Sequence, residues 1–481
     1  MGKVNAQFTT TLPPAYPGGN RPGENERVAV SGPLDDAVRS RVERTSLAYV
    51  FLSFFVLIYW ARPNWWIPGT AGIPFAKIAG FLAIASFFLW FLFERRGALS
   101  LPREMVYLLL LYLQLCVAIP FSTWRGGSFD LVVLEYSKVV IVTLIATMTI
   151  TSLTRLRRLV FIQTATITLI TALAVAGYGN RVNSAYGQRL GGMFGGTYDN
   201  PNDFAFDLAL VFPLAFAYLL TTRKLVWKAF WFLSMGLMIY GVLATYSRGG
   251  LLALLAGVGV AMWEFAVKGR RPHWILLLVV SAAAVFILSG PEGYSQRVAT
   301  IFHPEEDISG SAQDRRALFE RGLSLTARYP LWGIGPGNFQ VVSGSSEAHD
   351  WHGTHNTYLQ LSSEAGVPAL ILFLLVLKLT FSNVRRAKKL AIGDKRLTLL
   401  AGGLRASLVS LVVGAFFADV AYHFFPYFLV AFSSALAHIA QTTASGEQSL
   451  PQANHATGDD VKAKTAEGSQ RWLGLGRVSP S

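Results

Sequence analysis

Trp351-His352-Gly353-Thr354-His355-Asn356-Thr357-Tyr358-Leu359-Gln360-Leu361-Ser362-Ser363-Glu364-Ala365-Gly366-Val367-Pro368 closes a long polar segment and runs straight into Ala369-Leu370-Ile371-Leu372-Phe373-Leu374-Leu375-Val376-Leu377. The first half gathers His, Asn, Tyr, Gln and Glu; the second is pure hydrocarbon. A helix needs about 20 apolar residues to cross a bilayer core. The run beginning at 366 meets that length, so the polar stretch is read as the edge of a membrane span. Gly366 and Pro368 separate a short interfacial helix over 355–364 from the span proper.

Working outward, similar runs fall near 46–60, 73–93, 104–121, 129–150, 157–177, 203–221, 227–246, 249–267, 273–290, 403–419 and 424–441. With the run at 366–383, that predicts an all-α polytopic membrane bundle of about twelve transmembrane helices. Composition agrees. The 481 residues are 52% hydrophobic and 15% charged, where a soluble domain carries about 25% charged residues. The net charge of +14 comes from short basic clusters between apolar runs. That is the pattern of inward-facing membrane loops, so a nucleic-acid partner is not expected. The single cysteine, Cys116, lies in an apolar run and reads as lipid- or core-facing filler.

The clusters set an orientation. Arg95, Arg96 and Arg103 follow the second run, Arg155, Arg157 and Arg158 the fourth, Arg223, Lys224 and Lys228 the sixth, Lys268, Arg270 and Arg271 the eighth, and Arg385, Arg386, Lys388, Lys389, Lys395 and Arg396 the tenth. Every even-numbered connection is thus placed in the cytoplasm. The expected organisation is a disordered cytoplasmic tail at 1–45, nine spans over 46–290, an extracytoplasmic loop at 291–365, three spans over 366–441 and a disordered tail at 442–481. No cleavable signal peptide is expected. Trp60, Trp65, Trp66 and Trp124 fall at outer boundaries, as interfacial aromatics do. Within the loop, Pro304-Glu305-Glu306-Asp307 reads as solvated acid, and Ser311 to Tyr329 as an amphipathic helix carrying Arg315 and Arg316. The glycine-punctuated Trp332–Phe339 lacks a Gly-Lys-Ser/Thr ending and no strand precedes it, so no nucleotide site is expected.

Basic residues on the outer side are scarce, which singles out Arg181, Arg189 and Arg248. Arg248 sits in Tyr246-Ser247-Arg248-Gly249-Gly250 with almost no room for a loop. A charge at bilayer depth costs about 2.5–3.5 kcal/mol on insertion scales, so it pairs or binds something unless it snorkels to headgroups. The sixth, eighth and tenth spans start at the outer face, where helix N-termini favour anions. Asn200, Ser247 and Thr354 are cap candidates there, with Asp203 in a first turn and Asn356 following. If those ends converge with Arg189 and Arg248, they form a site for a diphosphate. Helix caps are needed in any case, so caps alone discriminate little.

His355 is a candidate general base, since an unperturbed imidazole titrates near pH 6.5, about where a base is useful; a satisfied loop histidine is the plain alternative. Glu364 either orients it or sits at the interface. Two metal readings are weaker. His349, His352 and His355 lack cysteines and helical i, i+4 spacing, and Asp199, Asp203 and Asp207 are equally explained as helix-start residues. No metal or other cofactor is expected.

Three segments carry a resemblance: Tyr246-Ser247-Arg248-Gly249-Gly250-Leu251-Leu252-Ala253-Leu254; Pro330-Leu331-Trp332-Gly333-Ile334-Gly335-Pro336-Gly337-Asn338-Phe339; and His355-Asn356-Thr357-Tyr358-Leu359-Gln360 with Glu364-Ala365-Gly366-Val367-Pro368. In order and spacing they resemble the bacterial O-antigen ligase and polymerase family, specifically over about 200–383. Asp199-Asn200-Pro201-Asn202-Asp203 is similar to the start of that family's middle span. The resemblance implies a metal-independent, inverting glycosyltransferase of the inner membrane with its active site facing outward. The implied donor is an undecaprenyl-diphosphate-linked glycan. The acceptor would be a lipid A core hydroxyl, a growing polysaccharide or another hydroxyl, and polysaccharide-assembly proteins are possible partners. Arg248 and His355 match functional positions of the family; Arg189 matches a further arginine, with Arg181 competing. Asn200, Ser247 and Asn356 would help hold the diphosphate, and Asp203, Tyr358 and Glu364 would support. The motifs do not separate ligase from polymerase. A transporter or flippase of lipid-linked sugars is the alternative, with Glu135, Lys138 and Asp207 as its candidate intramembrane groups. A non-catalytic scaffold is the third reading.

Overall fold

The computed structural model describes residues 33–94, 101–193, 198–289, 293–343, 353–391 and 393–449. The chain divides into a unit Met1–Arg44, of which residues 33–44 are described and helical, and a unit Thr45–Ser481 that holds everything discussed below. Its helices are α1 (Pro33–Ala61), α2 (Phe75–Glu94), α3 (Arg103–Ala118), α4 (Arg125–Thr149, with a π-helical stretch at Asp130–Tyr136) and α5 (Leu153–Tyr178). An antiparallel hairpin follows, β1 (Gly179–Ser184) and β2 (Gly187–Met193). Then come α6 (Pro201–Thr221), α7 (Leu225–Ala244), α8 (Arg248–Val267), α9 (His273–Ser289), α10 (Tyr294–Ala299), α11 (Ser311–Arg328), α12 (Thr357–Leu390), α13 (Lys395–Gly414) and α14 (Phe424–Ser449).

Among the described residues ten helices are long and apolar enough to span a bilayer, and two shorter apolar stretches, Leu47–Ala61 and His273–Ile287, occupy the first and ninth predicted positions. The chain is therefore a polytopic, all-α membrane protein. Large apolar side chains such as Phe81, Leu233 and Ile287 are left exposed on its flanks, the surface that lipid covers. The hairpin was not foreseen: Arg181-Val182-Asn183 and the glycine-rich strand opposite are too short and polar to show a strand period. Trp60 also departs from expectation. It is buried, 4.0 Å from the Phe425 ring, and belongs to the core rather than to an interface. Cys116 is half-buried against the core, as its apolar context suggests.

At the centre, α6, α8 and α13 pack against one another, and α6 is almost wholly enclosed. Helices in lipid gain no hydrophobic energy by touching; close van der Waals packing through small residues holds them together. Here α8 supplies the small residues. A Cβ at Gly250 would collide with Ala205 of α6, and one at Gly257 with Ser410 of α13. The paired glycines after Arg248 are thus a packing requirement that fixes where α8 begins.

The expected interfacial helix is present as the first part of α12. The chain breaks at Gly366, with φ 84° and ψ 168°, and resumes beside Pro368. The break frees carbonyls, and the glycine turn of residues 330–338 takes them up: Ile334 N donates to Ser363 O at 2.9 Å and Gly335 N to Glu364 O at 2.9 Å, while Val367 N donates back to Pro330 O at 2.8 Å. Gly333, Gly335 and Gly337 all have positive φ, which is why that turn is written in glycine.

Candidate functional site

The site is built from the start of α8. Thr245-Tyr246-Ser247 turns the chain in three residues, with Tyr246 at φ 52°. Ser247 caps the helix, its Oγ accepting from Gly250 N at 3.2 Å. Arg248 leaves this turn towards the loop that follows α9. Its guanidinium donates to Thr300 Oγ1 at 2.8 Å, Asp307 Oδ2 at 2.9 Å and Ser311 Oγ at 2.9 Å. Asp307 is shared. Arg297 of α10 donates to Asp307 Oδ1 at 2.7 Å and stacks 4.8 Å from the Tyr186 ring. Tyr186 also donates to Asp307 Oδ1 at 3.1 Å. Burial alone would raise the Asp307 carboxyl. The Ser309 hydroxyl and the two guanidiniums outweigh it and hold the group well below the usual carboxylate range. The expectation of a solvated acidic loop holds for exposed Glu305 and Glu306 but fails for Asp307, whose side chain is fully enclosed.

Arg189 joins from the hairpin. Its Nε donates to Thr245 O at 2.8 Å and its Nη2 to Asn202 Oδ1 at 2.7 Å. It thereby ties the start of α6 to the start of α8. Arg181 is exposed and its side chain has no hydrogen bond or ion pair among the described residues, so of the two arginines the fold brings Arg189 to the cluster. Arg315 of α11 completes it. Burial, then the nearby charges of Arg297, Arg315 and Arg248, pulls the Arg189 guanidinium down to about 10. Burial, then Arg248 and Arg297, does the same to Arg315, also to about 10. Both remain protonated at neutral pH. Four arginines face two aspartates, Asp307 and Asp419, so the cluster carries an excess of positive charge.

His355 arrives from the other side, two residues before α12, with φ 48°. A non-glycine residue in that region is held there by its surroundings. Those surroundings are the loop after α13. Asp419 Oδ1 accepts from Asn356 N at 3.0 Å and from the Thr354 hydroxyl; its Oδ2 lies 3.9 Å from His355 Nδ1. Thr357 N donates to Ala415 O at 2.8 Å and Val420 N to Thr357 Oγ1 at 3.0 Å, which locks the two segments together. Asn356 caps α12, its Oδ1 accepting from Tyr358 N and Leu359 N, both at 3.0 Å. The cap is therefore Asn356 and not Thr354, whose hydroxyl serves Asp419 instead. A cavity of about 340 Å³ is lined by Arg248, Arg315, Thr354, His355, Asn356 and Phe416. Arg248 and His355 thus share one pocket, lined at the N-termini of α8 and α12. Another cavity, about 650 Å³, is elsewhere and apolar, among Phe230, Leu233 and Leu277.

The remaining expected residues have structural partners. Asn200 caps α6, accepting from Asn202 N at 2.8 Å. Asp203 is half-buried in the first turn of α6. Tyr358 donates to Val412 O at 2.8 Å and packs on Phe416. Glu364 does not orient His355. Its oxygens accept from Gly337 N at 3.0 Å, Phe339 N at 3.1 Å and Tyr422 OH at 2.8 Å, which pins the glycine turn. His349, Asp350 and His352 lie outside the described residues. Among the described residues no group of three His, Cys, Asp or Glu is placed to hold a metal ion. Asp199 accepts from Asn180 Nδ2 at 2.6 Å, and Asp207 is buried in α6. Glu135 and Lys138 pair with each other at 2.8 Å.

Sequence reasoning missed Arg297, Asp307, Arg315 and Asp419. Asp419 had a signal: it is the one acidic residue between Lys395 and Gly446, in otherwise apolar sequence. The others lie in a loop where charge is ordinary, so nothing in the sequence marks them.

A multi-pass helical bundle with a cationic pocket and a carboxylate-paired histidine at one end is the class of protein defined so far. Residues 233–374 match the family model described as O-Antigen ligase. The matched segment carries Arg248, Asp307, Arg315 and His355. A solved chain described under "Structural coordination of polymerization and crosslinking by a peptidoglycan synthase complex" is similar at 18% identity and a TM-score of 0.39, covering 71% of this chain and 97% of that one. No curated protein matches the chain.

Proposed function

We propose that the protein transfers a glycan from an undecaprenyl-diphosphate carrier to a hydroxyl acceptor at the outer face of the inner membrane. The observation that carries this reading is that Arg248, Arg315 and His355 line one cavity at converging helix N-termini. The guanidiniums and backbone N–H groups suit a diphosphate leaving group, because charge developing there meets donors already in place. His355 takes the proton of the acceptor hydroxyl. The hydroxyl oxygen attacks the anomeric carbon, the carbon–oxygen bond to the diphosphate breaks, and the lipid diphosphate departs with its charge held by arginine. Attack from the face opposite the leaving group inverts the anomeric centre. A positioned base contributes about 10²–10⁴-fold. Asp419 is a positioning residue: it stands at the Nδ1 side of His355 and leaves Nε2 as the proton acceptor.

The proposed orientation places this end of the bundle outside, consistent with the basic connections at the other end. His355→Ala and Arg248→Ala are each expected to abolish transfer by the purified protein from lipid-linked donor to acceptor, while membrane insertion stays normal. Transfer at the wild-type rate in either variant would overturn the assignment. Transfer by wild type without a membrane gradient separates this reading from a transporter.

A further inference from the structure

A second cationic cavity lies at the opposite end of the helices. It measures about 580 Å³ and is lined by Arg157, Arg158, Arg396, Ser53 and Thr154, with Val50 and Ile162 on its apolar wall. Arg157 and Arg158 belong to the first turns of α5, and Arg396 to the first turn of α13. Tyr218, near the far end of α6, forms part of the floor. Since α6 is 21 residues long, at about 1.5 Å per residue its two ends are some 30 Å apart. This cavity is therefore separate from the one holding His355.

Among the described residues no carboxylate lies within ion-pairing distance of Arg157, Arg158 or Arg396. Three other arginines do have carboxylate partners: Arg248 and Arg297 share Asp307, and Arg405 joins Lys388 on Glu264. Two backbone carbonyls beside the cavity already have partners. Tyr49 OH donates to Arg155 O at 2.9 Å, and Tyr218 OH donates to Arg157 O. The apolar wall continues onto exposed Val50 and Phe54 of α1, which face where lipid chains run.

We propose that this cavity binds the phosphodiester headgroup of an anionic phospholipid in the leaflet opposite the His355 pocket. The phosphate oxygens accept from Arg157, Arg158 and Arg396, the glycerol hydroxyls meet Ser53 and Thr154, and the acyl chains lie along α1 and α5. Basic pockets between spanning helices on the cytoplasmic side are suited to such headgroups. The lipid would tie α1 to α5 and α13.

The test is native mass spectrometry of the full chain in detergent, titrated with phosphatidylglycerol, phosphatidylcholine or inorganic phosphate. A basic residue near an anionic headgroup contributes about fivefold, so R157Q/R158Q/R396Q is expected to weaken phosphatidylglycerol binding roughly a hundredfold. R223Q/K224Q/K228Q removes equal charge from exposed residues at the same end and is expected to bind as wild type. Should the first triple fail to fold, R158Q/R396Q changes two exposed side chains and is expected to lose about 25-fold by the same reckoning. Equal loss in the control triple, equal binding of phosphatidylcholine, or displacement of the lipid by equimolar inorganic phosphate would each overturn the proposal. The readout is independent of glycan transfer.

Discussion

Asp307→Asn is the sharpest perturbation the fold offers. The carboxylate is enclosed, and the two arginines it serves have side chains only 11% and 9% exposed. The asparagine keeps the shape, removes the charge and turns a donor towards donors. Breaking a buried ion pair from one side costs about 3–5 kcal/mol, because the partner charge is stranded. A domain of 150–250 residues loses about 2–4 °C per kcal/mol and a chain of this size about 1 °C, so melting in detergent should fall by about 3–5 °C. Transfer should fall further, since Arg248 loses its anchor and a displacement of about 1 Å at a reacting centre can cost about 10²-fold. Adding Arg297→Gln removes one stranded cation. The double variant should recover part of the melting loss, with a coupling of about 0.5–3 kcal/mol. The pH dependence has a definite sign. The folded carboxyl is held low, so its contribution is complete above the unfolded value near 3.9 and is lost as pH falls through the folded one. The stability gap between wild type and variant should be constant near neutrality and close below about pH 4. An Asp307→Asn protein that melts and transfers like wild type would refute the claim that Asp307 holds Arg248 in place.

Asp419→Asn should lower kcat by about 10²-fold or more with little change in KM, because it disturbs the orientation of the base and not the grip on the donor; an unchanged kcat would remove Asp419 from the mechanism. Gly366→Ala should lower stability by about 1–3 kcal/mol in thermal melts, since a Cβ there meets both φ 84° and the Leu331 and Pro330 carbonyls. Gly250→Ala should shift α8 away from Ala205 and cost about 1–3 kcal/mol of overpacking, with transfer reduced alongside; wild-type melting would show that the two helices can part freely.

The spans were legible because lipid imposes a length and a composition that few other solvents demand, and the run from Ala369 to Leu377 has no other use. Arg248 and His355 were legible because each is a polar residue in apolar company. Their meeting was not. It depends on Gly250 touching Ala205 and on the loop after α13 crossing to Asn356, contacts between segments far apart in sequence. Trp60 misled for a related reason: an aromatic at a span's end reads the same whether it faces headgroups or Phe425. Glu364 misled because its proximity to His355 in sequence hid a partner on another segment, the backbone of Gly337.

The division of labour in the fold follows from the cost of charge in lipid. Arg248 is the first residue of its helix, His355 and Asp419 lie just outside theirs, and Arg189, Arg297 and Arg315 sit in the hairpin and the loop helices. None of the six is placed in the middle of a span, where a charge is expensive. The helices act on the site through their ends. Glycine contacts seat α8 against α6 and α13, hydrogen bonds from Arg189 and to Asp419 fix the neighbouring helix starts, and the connecting segments supply the charge. Such a site is rigid where its backbone donors are and adjustable where its side chains are. On the proposed function, the first would grip the diphosphate and the second would leave room for the acceptor.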